Sequence, residues 1–109
     1  MSRGPRLAYP CAEMTEHKIS VLKSRAERGW RFQVIVSEAD GSTSAHQVTL
    51  REKDYERLTA GMVDPERLVE ESFKFLLERE PKEAILGRFD LMVIARYFPE
   101  YEAEIRRRL

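Results

Sequence analysis

The chain has 109 residues, of which 42% are hydrophobic and 35% charged, which is enough for one domain with one core. Its 19 Lys and Arg residues balance 19 Asp and Glu residues, and a net charge of zero argues against a dedicated non-specific nucleic-acid binder, whose affinity depends on excess positive charge. No apolar run approaches the ~20 residues that cross a bilayer, and no signal-peptide pattern is visible. The single cysteine can form no internal disulfide. We therefore expect a cytoplasmic protein with no membrane partner and no cofactor.

The first 14 residues contain two prolines, one glycine and no periodic pattern. They predict a flexible N-terminal arm over residues 1–14, followed by a single α+β domain over residues 15–109. Because Met14 stands just before the first periodic stretch, we hypothesise that translation starts there; the intact mass of protein made from native DNA would test this. Cys11 lies in the arm and is interpreted as an incidental thiol, since a reactive thiolate needs a basic neighbour and a pocket.

Three runs of alternating apolar and polar residues come next, over 18–23, 30–37 and 44–50. Such alternation is typical of half-buried strands. The middle run is aromatic and β-branched, and one side of it is formed by Trp30, Phe32, Val34 and Val36. Asp40-Gly41-Ser42 predicts a hairpin turn before the third run, because Gly and Asp tolerate positive φ. The connection over 24–29 is expected to be longer. The pattern predicts an antiparallel meander with helices over one face.

Helical patterns occupy the second half, over residues 51–60, 64–79, 82–86, 91–98 and 99–109. The second pattern has Asp64 as N-cap and Pro65 in its first turn, and its apolar residues cover roughly 200° of the helix. An arc this wide needs two packing surfaces, of which the sheet supplies one. We therefore predict an α+β fold, a three-stranded antiparallel meander followed by a C-terminal helical segment packed on one face, in the order β-β-β-α-α-α-α.

The apolar surface of the helices exceeds what so small a sheet would cover. Residues 91–98 are apolar nearly all round, which is typical of a buried helix. The sequence therefore predicts a twofold homodimer. The residues expected at its interface are Phe73, Phe75, Leu77, Leu91, Met92, Ile94 and Phe98.

A basic and aromatic cluster around the first hairpin offers an alternative, nucleic-acid binding by phosphate contact and base stacking. Its residues are Lys23, Arg25, Arg28, Trp30 and Arg31. Residues 1–63 hold ten basic and eight acidic groups, so the excess of positive charge is small and this alternative is not favoured. A helix-turn-helix over 82–98 is rejected, because the second helix would offer base edges little besides Arg96.

A second alternative is small-ligand binding or an enzymatic role around His46, with Tyr55 nearby. The preferred interpretation of His46 is a hydrogen-bonded, partly buried residue of the sheet. The paired glutamates lie on the polar sides of amphipathic helices, which is typical of a solvated surface. No catalytic residues and no metal site are predicted, since no phosphate-binding loop, nucleophile elbow or zinc-binding motif is present.

Three segments of the chain carry distinctive sequence motifs: HQVTL over 46–50, DPERLVEESFKFLLEREP over 64–81 and ILGRFDLMVIARYFPEYEAEI over 85–105. They resemble motifs that recur in a group of short uncharacterised prokaryotic proteins. The resemblance covers about residues 18–105, implies a single independent domain, and brings no activity, cofactor or catalytic residue with it. Because the chain has few residues suited to catalysis, the favoured function is a small non-enzymatic protein-interaction or regulatory module, with a homodimer or another protein as partner.

Overall fold

The computed structural model describes residues 17–109, with side chains from Lys18 onward. The predicted arm over 1–14, with Cys11 and Met14, lies outside the described residues. The first half forms three long strands, β1 (His17–Ala26), β2 (Gly29–Glu38) and β3 (Thr43–Arg51). The second half forms α1 (Glu52–Thr59), α2 (Pro65–Leu77), a short 3₁₀ turn (Lys82–Ala84), β4 (Arg88–Asp90), α3 (Val93–Tyr97) and α4 (Tyr101–Arg108).

The strands form one sheet in the order β1-β2-β3-β4, so the antiparallel meander of β1 to β3 is confirmed. The predicted order β-β-β-α-α-α-α is wrong, because β4 lies between helices and pairs in parallel with β3. The Gln47 N–H donates to the Gly87 carbonyl at 2.8 Å, and the Leu91 N–H donates to the Thr49 carbonyl at 2.8 Å. A three-residue strand is too short to show a period of two, so its sequence carries no strand pattern.

Both hairpins are tight. At the second one, Gly41 has φ +90°, and the Ser42 N–H donates to the Asp40 carboxylate at 2.9 Å, as the turn sequence predicts. The first is shorter than expected, because β1 continues to Ala26 and β2 begins at Gly29. Only Glu27 and Arg28 remain in the turn, where Arg28 takes the left-handed conformation with φ +72°.

The sheet buries one face and exposes the other. Alternate residues of β2 and β3 are buried, namely Phe32, Val34, Val36, His46, Val48 and Leu50. Their neighbours, such as Arg31, Gln33 and Gln47, are exposed on the opposite face, which we call the open face. This division is the one that the alternating pattern predicts, and it places every helix on one side of the sheet.

Helix α2 lies at the centre of the core, and both surfaces that its wide apolar arc requires come from the same chain. On one side, the ring of Phe73 is 6.1 Å from the ring of Phe89 in β4. On the other, the ring of Phe75 lies 5.4 Å from that of Tyr101 and 5.8 Å from that of Phe98. Aromatic pairs at these separations add to the stabilisation that burial of their area provides.

A buried hydrogen-bond chain joins α4 to α2. The Ser72 hydroxyl donates to the Leu68 carbonyl at 2.7 Å, so the Tyr101 hydroxyl, 2.6 Å away, must donate to the Ser72 oxygen. Burial raises the pKa of the Tyr101 phenol well above its ordinary value of 10.0.

This shift predicts a loss of stability at alkaline pH. Above pH 10 the unfolded chain releases the phenol proton while the folded chain retains it, so the stability that Tyr101 contributes falls as pH rises. Relative to Tyr101→Phe, the wild-type free energy of unfolding should drop by about 1.4 kcal/mol between pH 9 and pH 11, measured by urea titration. A constant difference between the two proteins over this range would contradict the prediction.

Candidate functional site

The predicted hairpin cluster does not form one surface. Lys23 pairs with Glu66 of α2 at 3.5 Å, and the Arg25 guanidinium lies 5.8 Å from the centroid of the Trp30 ring. Arg28 is in the turn, on neither face. Trp30 is half-buried, with its ring 5.2 Å from that of Tyr55 in an edge-to-face contact. These side chains on the helix side therefore serve packing and pairing.

Arg31 is separated from the rest of that cluster, because it lies on the open face while Trp30 points to the helix side. The alternation along β2 forces this separation, since adjacent residues of a strand point to opposite faces. A basic side chain beside a tryptophan in the sequence is therefore not beside it in space. The stacking platform expected from these five residues is not assembled.

His46 is a structural residue. Its side chain is buried, with 3% exposure, and its ring lies 5.3 Å from the ring of Phe73. Nδ1 is 2.8 Å from the Leu86 carbonyl, which can only accept, so Nδ1 is the donor. Nε2 is 2.8 Å from the Ser44 hydroxyl. Both ring nitrogens thus have hydrogen-bond partners within the chain, as the preferred interpretation of His46 expects.

A buried lysine lies at the edge of the core. The side chain of Lys82 is 1% exposed, and its Nζ is 2.6 Å from a Glu83 oxygen and 3.3 Å from a Glu38 oxygen. The hydrogen bond with Glu83, and after it the one with Glu38, raises the pKa of Lys82. These contacts tie the 3₁₀ turn to the end of β2, and no local sequence pattern predicts them. Lys82 is a structural anchor of the segment that leads into β4.

The predicted dimer interface is mostly interior. Phe73, Phe75 and Leu91 have no exposed surface, and Ile94 is 2% exposed. These four residues pack against the rest of the same chain, so Phe73, Phe75 and Leu91 have no area to offer to a second copy and Ile94 has almost none. The other three predicted interface residues, Leu77, Met92 and Phe98, are half-buried. The dimer itself stays a prediction, and of the residues expected at its interface only Leu77, Met92 and Phe98 have appreciable exposed surface.

An apolar groove runs along the helix side, between the end of α2, the 3₁₀ turn and α3. Its volume is about 360 Å³. Its lining is apolar except for Glu80 and includes Leu76, Ile85, Leu86, Phe89, Tyr97 and Phe98. Tyr97 is 68% exposed and Leu86 48% exposed, although both are large apolar residues. The exposure of Tyr97 was not predicted, because the apolar pattern over 91–98 is typical of a buried helix.

A second, polar depression lies on the open face. It has a volume of about 330 Å³ and is lined by Arg31, Gln47, Thr49 and Arg88. Residues from three adjacent strands meet here, because Arg31 pairs with Thr49 and Gln47 pairs with Arg88 in the sheet register. The sequence analysis assigned Arg31 to the hairpin cluster and did not identify Arg88 as a site residue. The strand that carries Arg88 is too short to show an alternating pattern.

Within residues 17–109, no group of three or more His, Cys, Asp or Glu side chains is placed to hold a metal ion. Over the same residues, no helix is long and apolar enough to cross a membrane. The fold is thus an α+β sheet with helices on one face, and its two candidate sites are an apolar groove and a polar, cationic depression on opposite sides. No protein-family model, no curated protein and no solved structure matches the chain.

Proposed function

We propose that the protein is a non-enzymatic interaction module that acts as a homodimer through the apolar groove. The observation that carries this proposal is the exposure of Tyr97 and Leu86 at the rim of that groove. Tyrosine is enriched where binding energy is concentrated at protein interfaces, because its large ring fills a pocket at low entropic cost. A cytoplasmic location, expected from the sequence, is part of the proposal.

A second copy of the chain is the occupant that the charges favour. Glu80 lines the groove and Arg96 precedes Tyr97, and neither has an ion-pair partner among the described residues. In a twofold contact both copies present the same surface. We propose a contact in which Tyr97 of each copy enters the groove of the other and Arg96 of each copy faces Glu80 of the other. Such a contact would give Glu80 and Arg96 the ion-pair partners that they lack among the described residues of one chain.

The proposal predicts a concentration-dependent dimer. Wild-type protein should sediment as a dimer at micromolar concentration, and Tyr97→Ala should weaken dimerisation by at least about tenfold, which corresponds to ~1.4 kcal/mol. Met62→Ala is the matched control, because Met62 is 81% exposed and does not line the groove. Sedimentation velocity over a dilution series measures both variants.

Two outcomes would overturn the proposal as stated. A wild-type monomer at all concentrations would exclude the homodimer. A wild-type dimer that Tyr97→Ala and Met62→Ala leave equally intact would place the interface away from the groove.

A further inference from the structure

The open face carries basic side chains without acidic partners. Its Lys and Arg residues, from the alternation of the strands, are Lys18, Arg31, Arg51 and Arg88. None of them forms an ion pair within the described part of the chain. On the helix side, by contrast, Arg57 pairs with Glu102 at 2.7 Å and Arg108 with Glu78 at 2.6 Å. The chain is neutral overall, but the open face is cationic.

The single acidic residue of the described strands on this face is already occupied. The two oxygens of Asp90 accept hydrogen bonds from the Thr49 hydroxyl at 2.9 Å and from the Met92 N–H at 3.1 Å. These bonds hold its carboxylate at the β4 end of the sheet. Asp90 forms no ion pair with Arg31 or Arg88 and leaves their guanidinium groups available to an anion from solution.

The arginines are spaced for an extended anion. Arg31 and Arg88 lie on either side of β3, two strand spacings apart across the sheet and offset by two residues along it, so their Cα atoms are roughly 12 Å apart. Arg51 extends the row beyond Thr49 along β3. The amides of Gln33 and Gln47 lie exposed among these cations. A row of separated guanidinium groups matches a chain of phosphates better than one small ion, because each can contact a different phosphate.

We propose that the open face binds the backbone of single-stranded nucleic acid, with Arg31, Arg88 and Arg51 contacting phosphates. A single strand is favoured over a duplex, because a four-stranded sheet is broader than the major groove, which admits a helix or a two-stranded ribbon. The described part of this face carries no aromatic residue, so no base can stack on an aromatic side chain there and binding depends mainly on charge. The site is new relative to the hairpin cluster, from which it retains only Arg31.

Fluorescence anisotropy with a labelled single-stranded oligonucleotide tests this site. Binding should be detectable at low salt, and log K should fall against log salt with a slope of about −2, as expected for three phosphate contacts on a single strand. The double variant Arg31→Gln/Arg88→Gln should weaken binding at least tenfold and reduce the slope to about −0.7.

The matched control is Arg106→Gln/Arg107→Gln, which removes the same charge from exposed positions of α4 on the helix side. This control should bind within about twofold of wild type. Equal losses in both double variants would mean that net charge alone governs binding and would overturn the proposal. The absence of binding at low salt would overturn it as well.

Two further arms identify the ligand. A duplex of the same sequence should bind more weakly than the single strand, and tighter duplex binding would exclude the proposed mode. Inorganic phosphate should compete only at far higher concentration than the oligonucleotide, and competition at equal phosphate concentration would indicate a site for one small anion instead. The dimer can fail its own test without affecting these results, since the groove lies on the other side of the sheet.

Discussion

Replacing Gly29 by alanine should lower the free energy of unfolding by about 3 kcal/mol. A Cβ atom at this position would lie 2.1 Å from the Leu50 carbonyl oxygen and 2.9 Å from the Arg51 Cα. Both neighbours are backbone atoms of β3, so neither can rotate away as a flexible side chain would. Relief requires β2 and β3 to separate at the end of the sheet where the Glu52 N–H donates to the Arg28 carbonyl at 2.9 Å. Urea denaturation measures the change.

Gly87→Ala provides the matched control for Gly29→Ala. An added Cβ at Gly87 meets nothing within 4 Å, and Gly87 does not have a positive φ. The same chemical change should therefore alter stability by less than about 0.5 kcal/mol. Equal effects of the two substitutions would show that β2 and β3 do not approach as closely at Gly29 as described.

His46→Ala should lower the free energy of unfolding by about 3 kcal/mol. The variant loses two hydrogen bonds, each worth about 1 kcal/mol, and the burial of an aromatic ring against Phe73. One of the lost bonds holds the Leu86 carbonyl just before β4. The loss should therefore also speed hydrogen exchange at the Gln47 N–H, which donates to the neighbouring Gly87 carbonyl.

His46→Asn distinguishes the stability that comes from the hydrogen bond to the Leu86 carbonyl from the stability that comes from the ring contacts. The Asn amide nitrogen can take the place of Nδ1 and donate to Leu86, while the bond to Ser44 and most of the ring contact are lost. This variant should retain about half of the stability that alanine loses and more of the protection at Gln47. If His46→Ala were as stable as wild type, the interpretation of His46 as a structural residue would be wrong.

Local pattern was sufficient to predict the meander but not β4. Residues 30–37 and 44–50 are long enough to show a period of two, and their turn residues Asp40 and Gly41 identify the hairpin. Residues 88–90 contain a single buried apolar side chain, Phe89. Their pairing depends on how the chain returns from α2, and no local propensity encodes that return.

The predicted interface illustrates a different limit. The periodicity of α2 correctly indicated that Phe73 and Phe75 are buried, but it carried no information about what buries them. Phe75 is covered by Phe98 and Tyr101, and Phe73 by Phe89 and His46, all of them residues of the same chain. The open-face site was missed for a related reason, because Arg31 and Arg88 are 57 positions apart and meet only through the register of three strands.

The late position of β4 has a consequence during synthesis of the chain. Strands β1 to β3 leave the ribosome first, but the outer backbone groups of β3 pair only with residues 87–91. Until that segment emerges, the nascent sheet presents an unpaired strand edge, the kind of surface at which one chain adds to another. Polar and charged features near this edge discourage such addition while the edge is uncovered. They are the side chains of Gln47, Thr49 and Arg51 and the charged helix α1 that follows directly.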